Sequence, residues 1–161
     1  MPIIQLETSI KAPIERCFHL SRSIDLHKVS TAQTGERAIA GVTSGLVGMG
    51  ESVTWRARHF GVWQNLTSKV TAFDPPFSFV DEMQQGAFQR FWHQHRFENR
   101  EGTTIMTDVF DYTAPLGPLG KLADGLFLKS YMTRLLVERN NVIREFAETD
   151  RWREVLPASE A

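Results

Sequence analysis

The sequence predicts a single α+β domain in which a curved antiparallel sheet of about seven strands wraps around a long C-terminal helix. Three observations predict it. Between residues 52 and 112 apolar and polar residues alternate in runs separated by short turns, which is the pattern of an antiparallel meander. After Pro118 the period changes to helical and stays so to about Glu148, leaving one long amphipathic element to cover the sheet. The chain also carries 11 Phe and 4 Trp beside only 2 Tyr, a large amount of flat apolar surface that a roomy interior would use. A chain of 161 residues fits one domain and buries about two-thirds of its unfolded surface. We expect that domain to cover residues 1–149, with 150–161 as a loosely held tail that Trp152 and Leu156 could pin.

Each element has its own signal. Ile4, Leu6, Thr8 and Ile10 alternate with Gln5, Glu7, Ser9 and Lys11, the period of a half-buried strand. Pro13 suits the first turn of a helix running from Ile14 to about Arg22. Ser23 can cap a second short helix around Asp25 and His27. The glycine-rich stretch 35–50 contains one weak strand, Glu36 to Ala40, and a loop that could gate a cavity. Strands then follow at Ser52–His59, Gln64–Ala72, Phe77–Gln84, Phe88–Glu98 and Thr103–Tyr112. In the last helix Leu128, Met132, Leu135, Leu136, Ile143 and Phe146 form one stripe. Leu119, Leu122 and Leu126 form another, about half a turn out of phase, so a bend is expected near Gly125.

Composition excludes several function classes. Eighteen basic and 19 acidic residues give a net charge of −1, without the basic excess of a nucleic-acid binder. The single Cys17 rules out an internal disulfide framework and a multi-thiolate metal site, and it reads as a small packing residue. Met1-Pro2-Ile3-Ile4 lacks the features of a secretion signal, and no apolar run approaches the roughly 20 residues that span a bilayer. The expectation is a cytoplasmic, soluble chain of undetermined oligomeric state.

Closing the hairpins predicts which side chains share a face. A turn at Phe60-Gly61 sets Trp55 opposite Leu66 and Val53 opposite Ser68. A four-residue turn at Asn99–Gly102 sets Phe97 opposite Thr104, His95 opposite Met106, His93 opposite Asp108 and Phe91 opposite Phe110. One face then carries Phe91, Phe97, Met106, Phe110 and Tyr112, with His93, His95 and Asp108 among them. A helix laid in a curved sheet leaves space, so these residues, with Leu128 and Met132 from the helix, are expected to line a cavity. The other face carries Arg56, Arg58, Arg90 and Arg96, a solvated strip or a surface for a protein partner.

Two sharper readings apply to the polar cluster. His93-x-His95 could chelate a metal with Asp108 as third ligand, and a cupin-like reading would start from Gly86. A cupin would need a glutamate of the same parity and a later histidine; Glu98 has the wrong parity and no histidine follows. The residues therefore favour polar groups in the cavity over a metal site, and no cofactor is expected. Alternatively His93 paired with Asp108 could act as a tuned base, with His95 beside it, although no second acid or nucleophile is identifiable. Gly45, Gly48 and Gly50 lack the context of a phosphate loop.

The order of elements, with Phe79-Val80-Asp81-Glu82, His93-Gln94-His95-Arg96-Phe97-Glu98, Gly102-Thr103 leading to Asp108 and Tyr112, and Pro115-Leu116-Gly117-Pro118-Leu119-Gly120, resembles the START/Bet v-type superfamily, also called SRPBCC or helix-grip. The resemblance covers nearly the whole chain and is nearest to a bacterial branch described as ligand-binding or cyclase/dehydrase-like. It implies binding of a small hydrophobic molecule such as an isoprenoid, quinone, lipid or polyketide-like compound, with polyketide cyclase or dehydratase chemistry as the alternative.

Overall fold

The computed structural model describes residues 2–160. Strand β1 (Ile3–Ile10) leads into helices α1 (Ile14–Ser21) and α2 (Ile24–Ser30). Six strands follow: β2 (Arg37–Gly41), β3 (Ser52–His59), β4 (Val62–Asp74), β5 (Ser78–Gln85), β6 (Arg90–Arg100) and β7 (Thr103–Thr113). They form one antiparallel sheet in the order β1-β7-β6-β5-β4-β3-β2, so each strand after β1 pairs with its sequence neighbour and β1 closes the edge beside β7. This is the α+β architecture the alternation implied. Among the described residues no helix is long and apolar enough to cross a membrane.

Local chemistry explains the starts and stops. Pro13 stands just before α1, with its carbonyl accepting from the Cys17 amide at 3.1 Å. Ser23 caps α2, its hydroxyl oxygen accepting from the Leu26 amide at 3.2 Å. The β3–β4 hairpin turns on Phe60 and Gly61, both at positive φ, and pairs Trp55 with Leu66 and Val53 with Ser68 as expected.

The β6–β7 hairpin corrects the expected register by two residues. The turn is only Glu101-Gly102, both at positive φ, which is the pattern of a two-residue type I′ connection. β6 therefore extends to Arg100 while β7 still starts at Thr103, and the pairs are Phe97 with Met106, His95 with Asp108, His93 with Phe110 and Phe91 with Tyr112. A slip of two keeps every side chain on its predicted face, because strand parity is two. A second correction lies in β4, where the register shifts between Val70 and Ala72. The bulge turns Ala72 outward and brings Phe73 against the core in its place.

After β7 the chain enters α3 (Gly117–Ala123), a π-helical turn at Asp124–Leu128, and α4 (Lys129–Glu148). The π-turn interrupts the α-helix at the place where the sequence predicts a break or bend, near Gly125. The α4 stripe faces the sheet through Leu136, Ile143 and Phe146, whereas Leu119, Leu122 and Leu126 stay exposed. Gly120 lets α3 pack closely, since a Cβ there would come within 1.8 Å of the Pro115 carbonyl oxygen. The C-terminal residues are not loose: Trp152 and Leu156 are buried in the main core, and the Arg16 guanidinium covers the Trp152 ring at 4.8 Å.

Apolar packing is unequal along the concave face. At one end α1 and the second half of α4 close over Phe79, Phe97 and Met106, forming a solid core around Cys17, Phe18 and Phe146. Toward the other end α4 and α3 stand away from the sheet, and a cavity opens.

Candidate functional site

The cavity has a volume of about 500 Å³, within the range of small-molecule sites. Its sheet wall is built from Val53, Trp55, Leu66, Ser68, Phe91 and Phe110, and its helical wall includes Leu128, Met132 and Leu136. Phe60, Leu116, Leu119 and Phe127 line it too while remaining exposed, so its mouth lies between the β3–β4 turn and the α3–π segment. The 45–50 loop contributes Val47 to the cavity wall. It is tied down by Ile24 N–H to Gly45 O at 2.9 Å and by Gly50 N–H to Val70 O at 2.9 Å.

Four residues expected in the lining do not reach it. Phe97 and Met106 lie at the β6–β7 turn end, where α1 and α4 pack directly onto the sheet. Tyr112 is fully buried in the smaller cluster with Phe91, Phe110 and Leu136, its hydroxyl donating to Asp124 at the π-turn. Asp108 is sealed behind the histidines. Strand parity assigns a face, but the helix that lies over each stretch decides whether that face is core or cavity.

The polar end of the cavity is a network of adjacent strands and α4. His93 and His95 alternate on β6, Asp108 sits directly across from His95 on β7, and Asp81 sits across from His93 on β5. Asp108 Oδ1 lies 3.0 Å from His93 Nε2 and 2.9 Å from His95 Nδ1, and Asp81 Oδ1 lies 2.9 Å from His95 Nε2. From α4, Asn140 Nδ2 donates to Asp108 Oδ2 at 2.7 Å and the Arg139 guanidinium approaches Oδ1 at 3.4 Å. Arg139 is held in turn by Asn140 Oδ1 at 3.0 Å and by the Ser21 carbonyl at 3.2 Å. Phe79 stacks on His95 with ring centres 4.2 Å apart. Asp81, His93, His95 and Arg139 face the cavity; Asp108 and Asn140 support them from behind.

Arg139 Nη2 lies 3.5 Å from His95 Nδ1, but both His95 nitrogens lie 2.9 Å from carboxylate oxygens, which favours the doubly protonated ring. Burial pushes its pKa down, but the bonds to Asp108 and Asp81 outweigh that and the net direction is up. His93 moves down, through burial first and the neighbouring His95 charge second, which favours its neutral form. Burial would raise Asp108, yet the bonds from His93 and His95 and the Arg139 charge hold it well below the usual carboxylate range. Asp81 is lowered likewise: burial acts upward and is overcome, mainly by the His95 bond. Two carboxylates thus balance one imidazolium and one guanidinium, which is how a buried charged cluster avoids a prohibitive desolvation cost.

Sequence reasoning located His93, His95 and Asp108 but missed Asp81, Arg139 and Asn140. The inward parity of Asp81 with Phe79 on β5 was available as a signal. So was the position of Arg139 and Asn140 on the apolar side of α4, between Leu136 and Ile143. A second polar group was also missed. His27 Nε2 lies 3.3 Å from Glu36 Oε2, and His59 Nδ1 lies 2.8 Å from the Tyr131 hydroxyl, all lining the cavity wall away from Asp81. On the outer face Arg90 is held by Asp111 at 2.9 and 3.0 Å and Arg56 stacks over Trp63 at 5.7 Å, so part of the basic strip is already engaged.

No protein-family model matches this chain, and no curated protein matches it by sequence. Solved structures do share its fold. A protein of Thermus thermophilus superposes with a TM-score of 0.69 at 18% identity, covering 88% of this chain and 97% of that one. A START superfamily protein of Mycobacterium smegmatis gives 0.67 at 11% identity, with 89% and 97% covered. Ginseng major latex-like protein 151 from Panax ginseng gives 0.63 at 15% identity, with 92% and 98% covered. The fold is the START/Bet v-like helix grip.

Proposed function

We propose that the chain binds a small, largely apolar molecule carrying one or two polar groups, of the isoprenoid, quinone, fatty-acyl or polyketide-like kind. The observation that carries this reading is the cavity itself: about 500 Å³, walled by aromatic and aliphatic side chains, with the charged Asp81/His93/His95/Arg139 cluster at one end. Apolar walls supply contact area at roughly 25 cal/mol per Å² buried, and a few fixed polar groups orient the guest. The fold shared with a START superfamily protein and a major latex-like protein agrees with such a role. Exposed Leu116, Leu119 and Phe127 at the mouth give an apolar guest a low-cost path from a membrane or carrier. The test is native mass spectrometry and solvent extraction of freshly purified protein, with thermal shifts across a panel of quinones, isoprenoids and acyl chains. Retained lipophile or saturable stabilisation is the expected result; neither appearing across the panel refutes the reading.

One observation favours a catalytic alternative. His93 is oriented by Asp108 and open to the cavity, with burial favouring its neutral form, which is the arrangement of a general base for a cyclase or dehydratase. This alternative requires that His93→Gln lower turnover by orders of magnitude while leaving affinity nearly unchanged. Equal losses in both assign His93 to binding.

A further inference from the structure

We infer that Asp81, His93 and His95 form a site for a divalent transition-metal ion of the zinc class at the polar end of the cavity, with open coordination positions facing the cavity. The sequence reading rested on Asp108 as third ligand, and the structure puts a different carboxylate on the cavity side. One donor atom from each of Asp81, His93 and His95 falls within 4.8 Å of the others. Asp81 Oδ1 is 2.9 Å from His95 Nε2 and 4.0 Å from His93 Nδ1. Ligands about 2.0–2.2 Å from a zinc-class ion lie roughly 3–3.5 Å from one another. A small rotation of the His93 ring completes the set.

What lies behind the ligands is the stronger argument. One carboxylate, Asp108, takes the far nitrogen of both imidazoles, His93 Nε2 at 3.0 Å and His95 Nδ1 at 2.9 Å. Metal-bound histidines are held in this way: a carboxylate accepts from the second ring nitrogen, fixes the tautomer and aims the other lone pair at the ion. Asp108 is itself held by Asn140 at 2.7 Å, and Asn140 reaches Thr8 Oγ1 at 3.3 Å, so the support extends from α4 to β1. Among the described residues His93 Nδ1 has no hydrogen-bond partner, only the Asp81 carboxylate at 4.0 Å, and His93 faces the cavity.

The ligands come from adjacent strands of one sheet, which hold a site more rigidly than loops do. Two histidines and one carboxylate leave positions free for a guest's hydroxyl, carbonyl or enolate oxygen. On binding, the ion takes the place of the His95 Nε2 proton, which leaves to solvent, while His95 Nδ1 stays bonded to Asp108. Charge remains near balance between the ion, two carboxylates and Arg139. The ion site stands on its own residues; only the use of its open positions rests on the small-molecule reading above.

The experiment is titration of chelator-treated, lipophile-free protein with Zn²⁺ and Co²⁺, followed by calorimetry and by the visible absorption of Co²⁺. One equivalent is expected to bind. Asp81→Asn or His95→Gln should weaken binding at least about tenfold, and Asp108→Asn should weaken it about 10–100-fold. The His27→Gln/His59→Gln double variant should bind like the wild type. Should the network variants fail to fold, imidazole ¹⁵N spectra of the wild type give the same decision. Zn²⁺ should shift His93 Nδ1 and His95 Nε2 and leave the other nitrogen of each ring protonated. No stoichiometric binding, binding undiminished in Asp81→Asn, or ¹⁵N shifts at His27 or His59 instead would each overturn the inference. The lipophile panel repeated in chelator separates the two proposals. Lipophile binding without metal binding sinks only this one, and metal binding without lipophile binding sinks only the other.

Discussion

Asp108 and His95 face each other across β7 and β6 at 2.9 Å, with both side chains buried. The pair joins the sheet to α4, because Asn140 and Arg139 grip the same carboxylate from the helix. The polar end of the cavity is therefore also a structural clasp.

Removing that carboxylate leaves His95, Arg139 and Asn140 buried without their shared partner. Asp108→Ala is expected to destabilise the fold by about 3–5 kcal/mol, the range for breaking one side of a buried ionic network. Urea unfolding measures it, and a loss below about 1 kcal/mol would contradict the role assigned here.

Acid should dissolve the clasp in a defined window. The folded Asp108 carboxyl lies below its ordinary value of 3.8, so it contributes stability that is present above that value and lost as the pH falls toward the folded one. His95, raised, contributes below its ordinary 6.5 and loses that as pH rises; His93, lowered, acts in the opposite sense, so the two oppose each other near neutrality. The stability gap between wild type and Asp108→Asn should therefore be full at pH 6 and shrink below pH 3.8. A gap that grows on acidification would reverse the sign argued here. Unfolding curves across this range in the presence of chelator provide the measurement.

Blocking the cavity should separate binding from folding. Met132 lines the helical wall and is only partly buried. Met132→Trp is expected to abolish lipophile-induced thermal shifts while changing the melting temperature of the free protein by only a few degrees, since the added volume enters open space and not a packed core. A large loss of stability with ligand shifts intact would place the guest elsewhere.

Cys17 should be inert. It is completely buried beside Phe18 and Met106, and burial pushes its thiol pKa up to about 11. A disulfide reagent at pH 8 should label it at least about 100-fold more slowly than a free cysteine, and at the normal rate only after unfolding. Prompt stoichiometric labelling of the folded chain would show that the α1 core opens readily.

Most of the fold is legible in the sequence because it rests on local periods. Alternation in residues 52–112 marks the meander, Pro13 and Ser23 mark helix starts, and the two leucine stripes around Gly125 mark a break that appears as a π-turn. The β6–β7 register was misjudged because Glu101, like Gly102, adopts positive φ, which composition alone does not announce for a glutamate. The β4 bulge escaped for a similar reason: an extra residue in a strand changes no local preference strongly enough to be seen.

The sequence by itself determined that Phe91, His93, His95, Asp108 and Phe110 share one face of an antiparallel sheet, since side chains alternate whatever the register to within two. Only the tertiary structure decided which of them meet a cavity and which are sealed. That depends on how far α1, α3 and α4 stand from each stretch of sheet. It also brought Arg139 and Asn140 to the two histidines and Asp108 from α4, the histidines being 44 to 47 residues away in the chain. Contacts at that separation arise when layers pack around a shared core, and no local period encodes them.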